Sequence, residues 1–226
     1  MPPEPDLRAV IFDWGGVLTP PISQLVRAWV ATDQIDWDSY LAAVGPWLTA
    51  AYEADAEQNP VHQLERGECT VAEFERLLGE RLVRIDGGQV AVEGMLARMM
   101  GAGEQPILAM YDLIRGLRAR GLSTALLSNS WGDAGYPRAD FPALFDAVVI
   151  SHEVGMRKPE ARIFRHVVGL LGLAPEQCVF IDDIEANVIA AAALGMTSIH
   201  HKDPESTTRR LAELFPPGGL RPPSTP

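Results

Sequence analysis

Polar side chains follow four apolar stretches of this 226-residue chain, and their types suit phosphoryl transfer. They are Asp13, Ser128 with Asn129, Lys158, and Asp182 with Asp183. One carboxylate can act as a nucleophile, while others can hold a hard divalent cation. The cation, a fixed lysine and a hydroxyl group can neutralise charge on the transferred group, which is where most of the catalysis must come from. The groups therefore predict transfer through an aspartyl-phosphate, provided that the fold brings them together.

The first of these groups lies in the stretch Leu7–Thr19. Within it, Ala9–Phe12 is an apolar run typical of a strand buried in a parallel sheet, and Asp13 ends it. Gly15 and Gly16 follow, and two glycines allow the backbone to turn sharply and approach a ligand closely. Taken alone, Asp13 is also consistent with a turn residue or a helix cap. The later groups favour the site interpretation.

The remaining groups have structural alternatives as well. Ser128 and Asn129 could cap a turn, and Lys158 with the proline after it could lead into a helix. Asp182 and Asp183 are harder to explain in this way. Two adjacent acids after a buried strand carry a desolvation cost unless a cation or hydrogen-bond donors lie beside them.

Alternating strands and helices are predicted to position these groups. The apolar runs predict five strands: Ala9–Phe12, Ser123–Asn129, Ala147–Ser151, Cys178–Asp183 and Thr197–His200. Runs between them predict helices: Ile107–Arg120, Ala161–Leu171 and Glu185–Leu194. This order predicts an α/β fold with a doubly wound parallel sheet and a ligand site at the carboxyl ends of the strands. Adjacent strand residues point to opposite faces, so we expect no ligand role for His200 and His201.

A long helical region separates the first strand from the second. It lacks strand alternation, and Thr70 with Glu73 forms a capping box before an apolar stripe. A parallel crossover needs only one helix, so an inserted helical domain is predicted. The predicted division is a core domain of residues 1–19 and 102–215, a helical cap domain of residues 20–101, and a flexible tail of residues 216–226. Five aromatic residues of the insertion could line a substrate pocket, although burial in a core is the commoner role: Trp29, Trp37, Tyr40, Trp47 and Tyr52.

Composition narrows the function classes. The formal net charge of −11 argues against a nucleic-acid surface, because phosphate backbones are bound by clustered basic residues. A metal would offset part of that charge. No stretch has the length of a membrane span and no signal peptide is evident, while Cys69 and Cys178 predict no disulfide framework. We therefore expect a cytoplasmic monomer or homodimer that binds a small phosphorylated substrate, without nucleic-acid or membrane partners.

The four groups, in this order and spacing, resemble the four motifs of the haloacid dehalogenase (HAD) superfamily of hydrolases. The helical insertion resembles the small C1-type cap of that superfamily. The stretches LLSNSW, VGMRKPE and FIDDIEANV are most similar to the subgroup that contains the N-terminal phosphatase domain of soluble epoxide hydrolase. The resemblance covers roughly residues 7–200, and four motifs in order are far more specific than one. It implies a HAD-like Rossmannoid core with an all-helical cap and an Mg²⁺-dependent phosphatase.

The resemblance also implies roles for individual residues. Asp13 would be the nucleophile and a metal ligand, and Lys158 would be catalytic and pair with the phosphoryl group. Phosphate would be bound by Trp14, Gly15, Ser128, Asn129 and Lys158. The metal ligands would be Asp13, the carbonyl oxygen of Gly15, and Asp183. Asp182 and Asn187 would orient those ligands or their waters.

One position departs from the family pattern. Phosphatases of the superfamily usually carry a second aspartate two residues after the nucleophile as general acid and base, and this chain has Gly15 there. Glycine still offers a backbone carbonyl to a metal, but losing a positioned proton donor typically costs about 10²–10⁴-fold in rate. Dehalogenases and phosphonatases of the superfamily also lack that aspartate. Alternatives are therefore a HAD hydrolase of another bond type, or a weakly active or inactive phosphate-binding or regulatory protein.

Overall fold

The computed structural model describes residues 6–49, 59–101, 106–132 and 135–216. Five strands form one parallel sheet: β1 (Ala9–Phe12), β2 (Ser123–Ser128), β3 (Ala147–Ile150), β4 (Cys178–Asp182) and β5 (Thr197–His200). Their spatial order is β3-β2-β1-β4-β5. The chain thus builds outward from β1 on one side and then from β4 on the other, which leaves a crevice at their carboxyl ends. Tyr52 and the predicted tail beyond Pro216 lie outside the described residues.

Helices connect and cover the strands. They are α1 (Ile22–Thr32), α2 (Trp37–Thr49), α3 (Pro60–Glu65), α4 (Val71–Gly79), α5 (Met95–Gly101), α6 (Leu108–Ala119), α7 (Phe141–Leu144), α8 (Ser151–Val154), α9 (Ala161–Leu171), α10 (Glu185–Ala193) and α11 (Pro204–Leu214). Helices α6, α7 and α11 pack in one apolar cluster with the sheet, and α9 and α10 pack in another. The two clusters take alternate residues of β1, as side chains of a strand with two covered faces must. The doubly wound sheet is confirmed.

The central strands are fully buried, and their register sets the site. Phe12 of β1 is paired with Leu126 of β2 and with Ile181 of β4. One residue further along, Asp13 and Asp182 therefore lie side by side at the same edge of the sheet. The position of the two acids follows from strand pairing rather than from loop conformation.

The observed ends of three strands differ by one residue from the predicted ends. Strand β2 ends at Ser128, β3 ends at Ile150 because α8 begins with Ser151, and β4 ends at Asp182. Asp183 therefore lies beyond the ladder. Helix α11 was not predicted, because its sequence is mostly polar and only Thr207 and Leu211 are buried.

Helices α1 to α5, which lie between β1 and β2, have a hydrophobic core of their own. Trp29 and Tyr40 are buried in it, and Trp37 and Trp47 pack against it, so these four aromatic residues belong to the core of the insertion. The capping box predicted at the start of α4 is confirmed. The Thr70 side chain accepts a hydrogen bond from the Glu73 amide, and the Glu73 carboxylate accepts one from the Thr70 amide. A helical insertion after the first strand is thus present, while the domain boundaries remain a prediction.

Two expectations from composition concern the membrane and the cysteines. Across the described ranges, we find no helix that combines the length and apolar character needed to span a bilayer. Both cysteines are free thiols: Cys69 is partly buried and Cys178 is buried at the start of β4.

Candidate active site

A buried lysine joins the two acids at the sheet edge. The ammonium of Lys158 lies 2.6 Å from Oδ1 of Asp13 and 2.7 Å from Oδ2 of Asp182. The side chains of Lys158 and Asp182 are almost completely buried, and Asp13 is only 6% exposed. Charges so far from water persist only when they are paired or hydrogen-bonded. The structure thus brings together the groups from the first, third and fourth motifs.

The main chain of Lys158 is fixed by the second motif. Asn129 accepts a bond from the Lys158 amide at Oδ1, 2.8 Å, and donates from Nδ2 to the Lys158 carbonyl, 3.0 Å. Both ends of its side-chain amide are therefore occupied in holding the lysine. The predicted contact of Asn129 with phosphate stays a prediction, and the structure gives the residue a positioning contact that sequence reasoning missed.

Asp182, the last residue of β4, is held by the start of α10 as well as by Lys158. Its Oδ1 accepts the amide of Ile184 at 2.8 Å, and Asn187 donates from Nδ2 to both carboxylate oxygens at 3.1 Å. Asn187 lies in the first turn of α10, one helical turn from the strand end. The predicted orienting roles of Asp182 and Asn187 remain a prediction, with a geometry that suits them.

Asp183 lies against the backbone of the first motif. A Cβ atom built on Gly16 would fall 2.1 Å from Oδ2 of Asp183, which is far inside contact distance. Gly16 also has a φ of +77°, a conformation that side-chain-bearing residues rarely adopt. His200 donates from Nε2 to the Asp183 carbonyl at 3.0 Å. Glycine is therefore required at residue 16 for the two motifs to meet.

The site favours protons or cations on its carboxylates. Burial raises the pKa of Asp13 well above 3.8, Asp182 raises it further, and Lys158 opposes the shift. Burial and then Asp182 raise the pKa of Asp183 to about 6. Burial by itself would lower the pKa of Lys158, but Asp13 and Asp182 raise it above its ordinary value. When they are ionised, the carboxylates thus carry more negative charge than the single ammonium of Lys158 can neutralise.

This donor set fits a hard divalent cation. Asp13, Asp182 and Asp183 each offer a carboxylate oxygen, and the three atoms lie within 4.8 Å of one another. When all three are ionised, Lys158 compensates one charge and leaves two. Oxygen ligands from carboxylates are those that Mg²⁺ takes in proteins. The residues present therefore fit the metal that the sequence implies.

Gly15 differs from its neighbour. A Cβ atom at Gly15 would meet nothing within 4 Å, and the backbone there is not in the left-handed region. Gly15 forms a bridge with Thr19, which closes the turn after Asp13. The Trp14 amide donates to Oδ1 of Asp13 at 2.7 Å, while its indole is buried beside Tyr111. Phosphate binding by the backbone of Trp14 and Gly15 stays a prediction.

Sequence reasoning missed Tyr136. Its hydroxyl lies 2.8 Å from Oγ of Ser128, and burial raises its pKa, so the hydroxyl stays protonated. A cavity of about 320 Å³ adjoins it and is lined by Trp14 and Tyr111 among others. Tyr136 follows β2 in a loop without sequence periodicity, so no local pattern announces its contact with Ser128. The phosphate role predicted for Ser128 also stays a prediction.

The sheet topology and the acids at its edge place the chain in a structural class. This class is that of Rossmann-type α/β proteins with helices inserted after a strand that is followed by aspartate. The sequence also matches the family model of haloacid dehalogenase-like hydrolases over residues 7–195. The chain belongs to that family and is a hydrolase. The family predicted from the four motifs is confirmed.

Relatives include proteins named as phosphatases. The chain is 27% identical over 216 residues to the sesquiterpene phosphatase astK of Aspergillus oryzae, covering 92% of this chain and 96% of that protein. It is 26% identical over 244 residues to rat bifunctional epoxide hydrolase 2, covering 97% of this chain and 42% of that protein. It is 29% identical over 221 residues to mouse acyl-CoA dehydrogenase family member 10, covering 92% of this chain. The chain thus spans only 19% of the length of the mouse protein and less than half of the length of the rat protein.

A solved structure shares the fold. It is a HAD family enzyme from Bacteroides thetaiotaomicron, with a TM-score of 0.65, 23% identity and coverage of 87% of this chain and 94% of that one. At this identity the likeness concerns the fold alone.

Proposed function

We propose that this protein hydrolyses small phosphate esters through an aspartyl-phosphate on Asp13, with Mg²⁺ as cofactor. The observation that carries the proposal is the contact of Asp13 with the Lys158 ammonium at 2.6 Å, beside two further acids able to complete a cation site. A nucleophilic carboxylate needs a partner that opposes the charge of the approaching phosphoryl group. The acids also favour a phosphatase over a dehalogenase of the same superfamily, because dehalogenases work without a metal.

The reaction would proceed in two displacements. In the first, an oxygen of Asp13 forms a bond to phosphorus while the bond to the ester oxygen breaks, and the leaving oxygen keeps the electron pair and takes a proton from water. In the second, water attacks the phosphorus of the aspartyl-phosphate and loses a proton to solvent while the bond between phosphorus and the Asp13 oxygen breaks, which releases inorganic phosphate and restores the Asp13 carboxylate. Splitting one displacement into two easier ones is the usual gain from covalent catalysis.

Individual residues divide the remaining work. Lys158 would pair with the phosphoryl oxygens, and the Ser128 hydroxyl would donate to them. Asp13, Asp183 and the Gly15 carbonyl would hold Mg²⁺, which when bound supplies further neutralisation of phosphoryl charge. Asp182 would hold Lys158 in place, since it contacts the ammonium directly at 2.7 Å.

Named relatives support a phosphate ester as substrate and magnesium as cofactor. The fungal relative is called a sesquiterpene phosphatase, and a Bacteroides thetaiotaomicron relative, 24% identical over 227 residues, is called a D-ribitol-5-phosphate phosphatase. A further structure of the Bacteroides HAD enzyme, with a TM-score of 0.58, is described as a complex with magnesium and inorganic phosphate. We propose that residues 20–101 act as a cap over the site and select the substrate.

Gly15 supports a second candidate, a protein that binds phosphate compounds without efficient turnover. No side chain at this position can protonate a leaving oxygen, and the space beside it is open. The intact Asp13 and Lys158 favour the enzyme. In the enzyme, the missing donor makes the rate depend on the leaving group, so aryl and acyl phosphates should react faster than alkyl phosphates.

The test is phosphate release from a panel of phosphorylated metabolites and aryl phosphates with excess Mg²⁺. The Asp13→Asn protein serves as blank, because the amide keeps the size of the carboxylate but cannot attack phosphorus. Turnover in the native protein and none in the blank supports the proposal. Saturable phosphate binding without turnover on any substrate favours the binding protein.

A further inference from the structure

A buried ion pair links the helical insertion to the residue next to the active-site lysine. Glu65, the last residue of α3, accepts a bond from Nε of Arg157 at 2.5 Å. The two side chains are only 9% and 7% exposed. A carboxylate and a guanidinium removed from water in this way hold each other strongly in place, since neither has bulk solvent as an alternative partner.

The segment that carries Lys158 is anchored at several points. The backbone amide and carbonyl of Lys158 are held by Asn129 of the core. The amide of Arg157 lies 3.3 Å from Oε2 of Glu160, the residue before α9. Glu65 supplies an anchor from the insertion, and it acts on the residue directly before the lysine.

Glu65 also reaches the segment after the second motif. Its other oxygen, Oε1, accepts a long bond of 3.4 Å from Nε1 of Trp131, which lies two residues after Asn129. Nearby, Arg66 bonds Glu160 at 3.2 Å and strengthens the same junction. One carboxylate of the insertion therefore contacts both loops that are proposed to bind phosphate.

We infer that Glu65 is a positioning residue, which fixes the ammonium of Lys158 through Arg157 when the insertion is seated on the core. The inference rests on the proposed function, because it assigns Lys158 to the phosphoryl group. Small displacements of a charged group from a ligand are costly in affinity and rate. Phosphate should bind well only when the insertion supplies Glu65.

The experiment measures binding of inorganic phosphate to the full chain in excess Mg²⁺, by calorimetry, alongside Mg²⁺ binding without phosphate. Glu65→Gln should weaken phosphate binding at least about tenfold and change Mg²⁺ affinity less than about twofold, because Asp183 lies outside the Glu65 network. The double variant Glu65→Gln with Arg157→Gln should bind phosphate no more weakly than the single one. The matched control is Asp33→Asn, which breaks a 2.9 Å pair with Arg98 inside the insertion and should leave both affinities unchanged.

Arg157→Lys provides the second variant if Glu65→Gln does not fold. It keeps a positive charge beside Glu65 but loses the planar fork, so phosphate binding should again fall severalfold. Unchanged phosphate affinity in the folded variants overturns the positioning role while leaving the proposed function intact. Equal losses of phosphate and Mg²⁺ affinity also overturn it, since they indicate general loosening of the site. Failure of the wild-type protein to bind phosphate overturns both the inference and the proposed function.

Discussion

Replacing Asp183 by asparagine should stabilise the metal-free protein at neutral pH. The pKa of Asp183 rises from 3.8 to about 6 on folding, chiefly through burial and the neighbouring Asp182. A raised carboxyl pKa means that the folded state holds the proton more tightly than the unfolded state. The ionised group therefore costs stability, and this cost appears as pH increases through the interval from 3.8 to about 6. Asparagine cannot ionise, so it removes the cost.

The size of the effect follows from the shift. One pKa unit corresponds to about 1.4 kcal/mol, which makes the full cost about 3 kcal/mol. Asp183 is only partly buried, and solvent screening reduces the figure to about 1–2 kcal/mol. Chemical denaturation in EDTA should therefore show Asp183→Asn more stable than wild type by that amount at pH 7.5. Below about pH 4, the two free energies of unfolding should coincide.

Magnesium should make the wild-type protein more stable than the Asp183→Asn variant. A ligand at 100 times its Kd stabilises the folded state by about 2.7 kcal/mol, and only wild type retains the full ligand set. Asp182→Asn is the matched control. It makes the same change at the adjacent acid, but this acid is paired with Lys158, so the lysine loses a partner. That variant should lose about 3 kcal/mol in EDTA, because Lys158 loses a buried partner. An Asp183→Asn protein less stable than wild type in EDTA, or one stabilised equally by Mg²⁺, refutes this account of the acidic cluster.

Three further predictions concern the same edge of the sheet. Asp13→Asn should reduce phosphate release to background while circular dichroism stays native, and near-wild-type activity would contradict the covalent route. Gly15→Asp should fold and increase turnover of alkyl phosphates most, up to about 10²-fold in kcat. Gly16→Ala should instead weaken Mg²⁺ binding, because its Cβ atom clashes with Asp183. A misfolded Gly15→Asp protein together with unchanged Mg²⁺ binding in Gly16→Ala would contradict the assignment of space around the two glycines. Apparent Mg²⁺ affinity should fall steeply below about pH 6 as Asp183 takes up its proton, and a flat titration curve between pH 5 and 7 would count against Asp183 as ligand.

The sheet and the position of the acids could be predicted from sequence because both follow from short-range patterns. An apolar run that ends in a carboxylate predicts a buried strand, and parallel register then brings Asp13 beside Asp182. The capping box of α4 is equally local. Alternating strands and helices predicted the doubly wound class, whereas the strand order β3-β2-β1-β4-β5 came from the structure.

Contacts across the molecule could not be predicted in this way. Glu65 and Arg157 are 92 residues apart, and neither lies in a pattern that announces its partner. Tyr136 reaches Ser128 from an irregular loop, and Asn129 holds the main chain of Lys158. Such pairs depend on how the insertion and the loops pack together, and a single sequence carries no periodicity that records this packing.

The fold constrains only the second of the two adjacent glycines, and this difference bears on the chemistry. Gly16 is dictated by the fold, because a Cβ atom there would collide with the Asp183 carboxylate. Gly15 is not, since its backbone and surroundings would accept a side chain. The lack of an acid at residue 15 is therefore no requirement of folding, and the open space it leaves is available to water or to the substrate itself. A substrate that carries its own proton donor, or whose leaving group needs none, is the kind that such a site serves best.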